Sequence, residues 1–345
     1  MNVPDDIQSM RYTPTEACAN QGDLETSAIE TSAAEPQADG DVRASRPPRI
    51  IAEVRKIETA STGGTAKLLL LLISLALFVG AGVLWWNVRM VLIVVTVLLF
   101  HEAGHYVAMR AFGYRNVKMF FVPFLGAAVS GRHFHISPWK QSLVYFAGPV
   151  PGILLALPLL AVGQAAQWQW MFELGAVGLV LNLLNLLPII PLDGGWIVYR
   201  AILCRSPVLD LVARIAGIGL MFVFAVFFHS PMILLIAIPM MLWLPTTFRV
   251  ASLIHRQRGQ PIPPPVHDEI PGPAIELLDG KLQATPMSEL PTPVRAAWIV
   301  KIYESLTVPP PNLIVTLAIL TLYLGIILLG GLGGYAIFQS GNGLE

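Results

Sequence analysis

Residues 90–110 read MVLIVVTVLLFHEAGHYVAMR, an apolar run whose only carboxylate or imidazole groups are His101, Glu102 and His105 and which Arg110 closes. A run of that length crosses a bilayer as a helix. An acidic residue near the centre of such a helix costs about 2.5 to 3.5 kcal/mol on insertion scales, so something must offset the burial, and a bound cation does that best. Residues four apart share a helix face, so His101 and His105 can present two ring nitrogens to one ion while Glu102 stands one step round. Zinc bound this way needs a third protein ligand and an open position for the water that it acidifies, and Glu102 is placed to take that proton. The competing reading is structural: two core histidines satisfied by backbone carbonyls, with Glu102 paired to Arg110. It leaves the depth of three polar groups unexplained.

The whole chain has the composition of a multi-span membrane protein. Its 345 residues are 54% apolar and 13% charged with net charge zero, and the mean hydropathy is +0.64. Runs long enough to cross a bilayer lie near 68–86, 90–109, 142–163, 171–190, 209–228, 231–247 and 312–337, about seven crossings. Lys and Arg stay on the cytoplasmic side of short loops. Starting the chain inside collects Arg43 to Lys67, Arg110 to Lys140, and Arg200 to Lys301 on that side, and leaves only Arg89 outside. The expected topology is therefore N-terminus cytoplasmic and C-terminus outside. With Arg110 at the inner boundary, a rise of 1.5 Å per residue puts His101 roughly 14 Å deep.

Outside the spans little is expected to fold. Residues 1–41 carry nine acidic groups against Arg11 alone and too little apolar surface for a core, so residues 1–64 read as a disordered cytoplasmic tail. Its basic end from Arg43 to Lys56 suits anionic headgroups or the positive-inside pattern alone. The first apolar run, near residue 68, reads as an anchor rather than a cleaved leader. A core follows over 65–250, then a Pro-rich linker over 251–310, then a last span and short tail over 311–345. Within the linker, Thr292, Pro293, Trp298, Ile302 and Leu306 outline a short helix suited to the membrane surface or to the approach to the last span. Cys18 and Cys204 predict neither disulfide nor metal site. The expected fold class is an all-α polytopic membrane protein.

The third ligand has few candidates at membrane depth: Asp193, Glu173, and His229 at an outer turn. Asp193 is best placed. It follows Asn185-Leu186-Leu187-Pro188-Ile189-Ile190-Pro191-Leu192, where two prolines remove backbone donors and stop a regular helix. Irregular backbone at this depth is tolerated where protein buries it or water reaches it, and Gly194 and Gly195 add freedom to turn the carboxylate. The structural alternative makes Asp193 the N-cap of the next helix. Asn182 and Asn185 share a face, and either can donate to a developing oxyanion; the proline spacing favours Asn185. Polar Asn also binds helices together in lipid.

Phe100-His101-Glu102-Ala103-Gly104-His105, followed by Asn185-x-x-Pro188-x-x-x-Leu192-Asp193-Gly194, resembles the site-2 protease family of intramembrane zinc metalloproteases (peptidase family M50) over roughly residues 90–250. The resemblance implies one Zn²⁺ per chain held by His101, His105 and Asp193, with Glu102 as base and Asn185 at the active site. It implies hydrolysis of peptide bonds in transmembrane segments of membrane-protein substrates, within the lipid bilayer and without nucleic acid. Ala147-Gly148-Pro149 resembles the family's AGP element, although the Asn often found three positions after that proline is Gly152 here. Residues 119–136, with Pro123, Gly126 and Gly131, resemble its re-entrant β-hairpin, whose edge can pair with an unwound substrate strand; the plainer reading is a cytoplasmic loop. His133 and His135 alternate on one side of that segment and read as solvated loop histidines rather than a second metal site. No PDZ or CBS module is legible, so substrate selection would rest on the spans, the tails or a partner. The setting is compatible with a bacterial inner membrane.

Two rivals belong to other classes. A silent relative acting as a membrane scaffold would bind metal without needing Glu102. A metal-ion carrier would use the same ligands but would have no use for Asn185.

Overall fold

Backbone N–H and C=O groups cannot be left open in hydrocarbon, so apolar runs close on themselves as helices. The computed structural model describes residues 49–59, 63–122, 126–132, 136–266 and 269–342. The reading of residues 1–48 as a disordered tail, the hairpin turn at 123–125, and His133 and His135 lie outside the described residues. In chain order the helices at the start are α1 (Arg49–Thr59), α2 (Gly64–Val83) and α3 (Val88–Ala111). Strands β1 (Arg115–Val122) and β2 (Gly126–Arg132) follow, then α4 (Pro138–Phe146), α5 (Pro149–Ala165), α6 (Gln169–Asn185) and α7 (Asp193–Ala201). The chain continues through α8 (Pro207–Phe227), α9 (Pro231–Gln257), α10 (Gly272–Gln283), α11 (Thr292–Thr307) and α12 (Leu313–Asn342).

Among the described residues six helical stretches are long and apolar enough to cross a bilayer, with α4 and α5 counted together as one bent stretch over Pro138–Ala165. The protein is thus a polytopic helical membrane protein. The expected crossing near 171–190 is shorter as a helix: α6 has 17 residues, because Pro188 and Pro191 supply no N–H to continue it. The apolar run goes on as irregular chain to Leu192.

The hairpin is formed, and β1 starts earlier than the sequence pattern suggested. The strands are antiparallel with Met119 opposite Val129, and the register shifts between Arg115 and Lys118, where Asn116 has φ of 50°. Such a shift is a bulge, which bends the strand at the rim of a site. The outer edge of β1 is tied to α2, since the Phe121 N–H donates to Ser74 Oγ at 2.9 Å. Phe78 and Phe121 pack rings 5.4 Å apart in a cluster with Val91, Val95 and Leu98 of α3.

The segment 251–310 is not a linker. α1, α10, α11 and the end of α9 share a buried core that includes Val54, Ile254, Leu278, Ile299 and Tyr303. The prolines sit between helices rather than dissolving them, and Pro273 and Pro293 stand in the first turns of α10 and α11, where a missing N–H removes no bond. Thr292 begins α11, with Pro291 at the N-cap, and the apolar side of α11 packs into this core rather than onto a membrane surface. The basic stretch ending at Lys56 likewise contributes to folding: Arg55 pairs with Glu58 at 2.7 Å and Glu269 at 2.9 Å. Glu58 Oε1 also accepts the Ile270 N–H at 2.8 Å. Burial still pushes the Glu58 carboxyl above its ordinary range.

The last helix, α12, packs against α5, α6 and α7 through Ile319, Tyr323 and Ile326. Its start is fixed by Arg205, whose guanidinium donates to the Pro311 carbonyl at 2.9 Å and to Thr316 Oγ1 at 2.6 Å.

Candidate metal centre

Helix α3 carries His101, Glu102 and His105 into the interior, with 3%, 6% and 6% of their surfaces exposed. The chain opposite is arranged to meet them. Helix α4 ends at Phe146, so its last carbonyls lack full intrahelical partners, and the carbonyl of Val144 accepts from His105 Nδ1 at 2.7 Å. His101 Nδ1 lies 2.8 Å from Asn182 Oδ1. The Asn182 amide donates to the Gly178 carbonyl at 2.7 Å, which fixes its oxygen toward the ring. An amide oxygen only accepts, so His101 Nδ1 holds the proton.

Both imidazoles therefore turn a lone pair outward from Nε2. The two Nε2 atoms are 3.1 Å apart, and Asp193 Oδ2 stands 3.1 Å from one and 3.2 Å from the other. Three acceptor atoms at this spacing repel unless a positive charge lies among them. A proton on one nitrogen serves one contact, whereas a cation serves all three. The spacing also fits: ligands 2.0–2.1 Å from a tetrahedral zinc are separated by about 3.3 Å. A Cβ built on Gly148 falls 2.3 Å from His105 Nε2 and 2.8 Å from His101 Nε2, so a glycine keeps the space beside the nitrogens clear. The Glu102 carboxylate lies within 4.8 Å of both histidine donors and accepts a hydrogen bond from the backbone of Val129 on β2. The free edge of β2 thus faces Glu102.

Asp193 reaches this point because the chain from Leu186 to Leu192 is irregular. It is the first residue of α7, Leu192 takes the N-cap position, and no side chain caps the helix, so its carboxylate is spent on the histidines rather than on capping. Gly194 and Gly195 act by size rather than flexibility: neither has positive φ, and an added Cβ would fall 2.2 Å from the Leu186 carbonyl oxygen or 2.4 Å from the Ile189 carbonyl carbon. Tyr323 of α12 donates its hydroxyl to the same Leu186 carbonyl. Gly104 permits a comparable approach, since a Cβ there would meet the Ala147 carbonyl oxygen.

Two sequence candidates lie elsewhere. Glu173 pairs with Arg89 at 2.9 Å at the far end of α3, roughly 18 Å along the axis from His101, and His229 sits in the turn between α8 and α9. Asn185 is half-buried, and its amide donates to the Leu181 carbonyl at 3.2 Å. Among the described residues no hydrogen bond joins it to the three donor residues. Asn182, weighed in the sequence as an oxyanion donor or as a polar tie between helices, is the hydrogen-bond partner of His101. Gly152 makes room for it: a Cβ there would fall 2.2 Å from Asn182 Oδ1, a relation that no sequence signal carries. The missing Asn at 152 and the Asn at 182 occupy one space, approached from two helices.

Two imidazoles, a carboxylate and an adjacent HExxH glutamate buried among membrane-spanning helices define a membrane protein with a metallopeptidase-type centre. A family model for peptidase family M50 matches residues 89–173, the segment that carries His101, Glu102 and His105. It is 28% identical over 144 residues to a zinc metalloprotease of Methanocaldococcus jannaschii, covering 40% of this chain and 41% of that protein. It is 30% identical over 120 residues to stage IV sporulation protein FB of Bacillus subtilis, covering 34% and 42%. The match therefore spans about two fifths of these relatives.

Proposed function

We propose that this chain is an intramembrane zinc endopeptidase that hydrolyses peptide bonds in transmembrane segments of other membrane proteins. The observation that carries this reading is the convergence of His101 Nε2, His105 Nε2 and Asp193 Oδ2, at 3.1 to 3.2 Å from one another, beside a buried Glu102. These three residues would hold one zinc ion per chain. Zinc supplies a Lewis acid and a water acidic enough to lose a proton near neutral pH.

The chain's own residues do the rest. Glu102 accepts the proton of the attacking water and returns it to the leaving amine, with the Val129 N–H holding its carboxylate in place. The free edge of β2 offers backbone groups to an extended substrate segment, which must unwind because helical peptide bonds are shielded. Asn185 is the candidate donor to the oxyanion once substrate displaces its amide from Leu181. Asn182 and Val144 keep both imidazoles in the tautomer that leaves Nε2 free. The N-terminus lies in the cytoplasm, cleavage falls toward that side, and a bacterial inner membrane is the proposed setting.

The test is zinc content and cleavage in detergent-purified protein. Wild type is expected to hold one zinc, Asp193→Ala to lose it, and Glu102→Gln to keep zinc while losing cleavage of a membrane-segment substrate. Zinc retained in Asp193→Ala would move the third ligand elsewhere, cleavage unchanged in Glu102→Gln would remove Glu102 as the base, and zinc bound by a wild type that cleaves nothing would leave a metal-holding scaffold.

A further inference from the structure

A chamber of about 500 Å³ opens beside the metal centre, between the hairpin, α4 and α7 on one side and α8, α9 and α11 on the other. It continues from the site: Val129, whose N–H holds Glu102, and Val144, whose carbonyl holds His105, are both in its wall. Ser130 and Gly131 extend the β2 edge into it. Aromatic walls come from Tyr145 and Trp196, stacked with centroids 6.2 Å apart, and from Trp298 of α11.

The charges in this wall are unequal. Arg214 is held by both oxygens of Asp210, at 2.9 and 3.0 Å. Lys301 stands 5.3 Å over the Trp196 ring. Glu304 is already engaged. Arg200, in the last turn of α7, is 93% buried, with 7% of its surface exposed, and it lines the chamber. Among the described residues no hydrogen bond or ion pair reaches its guanidinium. The end of a helix suits a cation, but the five guanidinium donors find no acceptor among the described residues and are left facing the chamber.

We infer that Arg200 receives a peptide carboxylate, and that the chamber is the subsite for an acidic residue flanking the scissile bond or for the carboxylate that cleavage releases. The inference rests on the protease reading and narrows its substrate class. Asp193 and Arg200 bracket α7, roughly 10 Å apart along its axis. An extended peptide covers that in about three residues at ~3.3 Å each. The β2 edge leads from Glu102 into the chamber, so a strand paired on it carries its flanking residues past Arg200. An acid about three residues from the scissile bond is the expected preference, and its amide counterpart leaves the guanidinium as bare as it now stands.

The test uses full-length, zinc-loaded Glu102→Gln protein in detergent and fluorescent extended peptides with a single Asp scanned along one flank, each compared with its Asn twin by anisotropy. One Asp position is expected to bind at least about tenfold more tightly than its twin, the fold-change a charge-assisted hydrogen bond carries. Arg200→Gln should abolish the difference and Arg200→Lys restore part of it. Equal binding of all Asp and Asn twins, or a preference that survives Arg200→Gln, overturns the assignment. The twin comparison needs no change at Arg200, so it decides even if that variant fails to fold. An advantage confined to peptides ending in a free carboxylate rather than an amide assigns the chamber to the cleaved product; an internal Asp advantage assigns it to substrate. Acid preference with no cleavage by wild type sinks the protease reading alone, and cleavage with no preference sinks the chamber alone.

Discussion

Replacing Asn182 by alanine removes the group that fixes the His101 tautomer without touching any of the three donor atoms. Asn182 is 1% exposed, and its oxygen is the hydrogen-bond partner of His101 Nδ1 at 2.8 Å. Losing such a partner lowers metal affinity by about 10- to 100-fold, which is about 1.4 to 2.8 kcal/mol at a factor of ten per 1.4 kcal/mol. The buried Nδ1–H left without an acceptor destabilises the metal-free protein by about 1–3 kcal/mol as well, so affinity and folding must be read separately. Competition with a chromophoric chelator in detergent gives the first, and thermal unfolding of metal-free protein gives the second. Asn185→Ala is the control, because its amide bonds only its own helix at Leu181, and it should leave zinc affinity unchanged. The geometry also predicts a rescue. Gly152→Asn alone drives a Cβ to 2.2 Å from Asn182 Oδ1 and should destabilise, whereas Gly152→Asn combined with Asn182→Ala opens that space and returns a carboxamide to it, recovering part of the affinity. Zinc affinity in Asn182→Ala within about twofold of wild type would refute the argument that this hydrogen bond orients His101.

Gly148→Ala puts a methyl group 2.3 Å from His105 Nε2 and should abolish zinc binding while helix content by circular dichroism stays as in wild type; retained zinc would show that α5 can shift to admit the methyl. Leu278→Ala, at a fully buried position in the core shared by α1, α10 and α11, should destabilise that unit by about 2–5 kcal/mol. Hydrogen exchange should then rise across α1, α10 and α11 and stay unchanged in α3 to α6, and a uniform rise would mean that the two parts unfold together.

The sequence alone was enough for the features fixed by local geometry and by the bilayer. Spacing on one helix put His101, Glu102 and His105 together, because a helix repeats every 3.6 residues whatever surrounds it. Two prolines marked where α6 must stop, because a missing N–H is a property of the residue and not of its neighbours. Asp193 stood out as a candidate ligand for the same reason, since it follows the break, and the fold brings its carboxylate beside His101 and His105. The apolar composition gave the membrane character, and the lengths of the apolar runs located the spans. What the sequence could not show was which groups meet from distant parts of the chain. The Pro-rich segment looked like a linker because it is short and rich in proline, and only joint packing with α1, through Val54, Leu278 and Ile299, gives it a core. Asn182 and Gly152 lie thirty positions apart and share one space across α5 and α6; no period or propensity relates them. Arg200 read as one more positive-inside residue, and its burial without a partner depends on α8, α9 and α11 closing over the chamber. Hydrogen bonding and close packing are decided at distances of a few ångströms between residues far apart in the chain, so the tertiary structure alone decided how His101, His105 and Asp193 are held and what lies beside them.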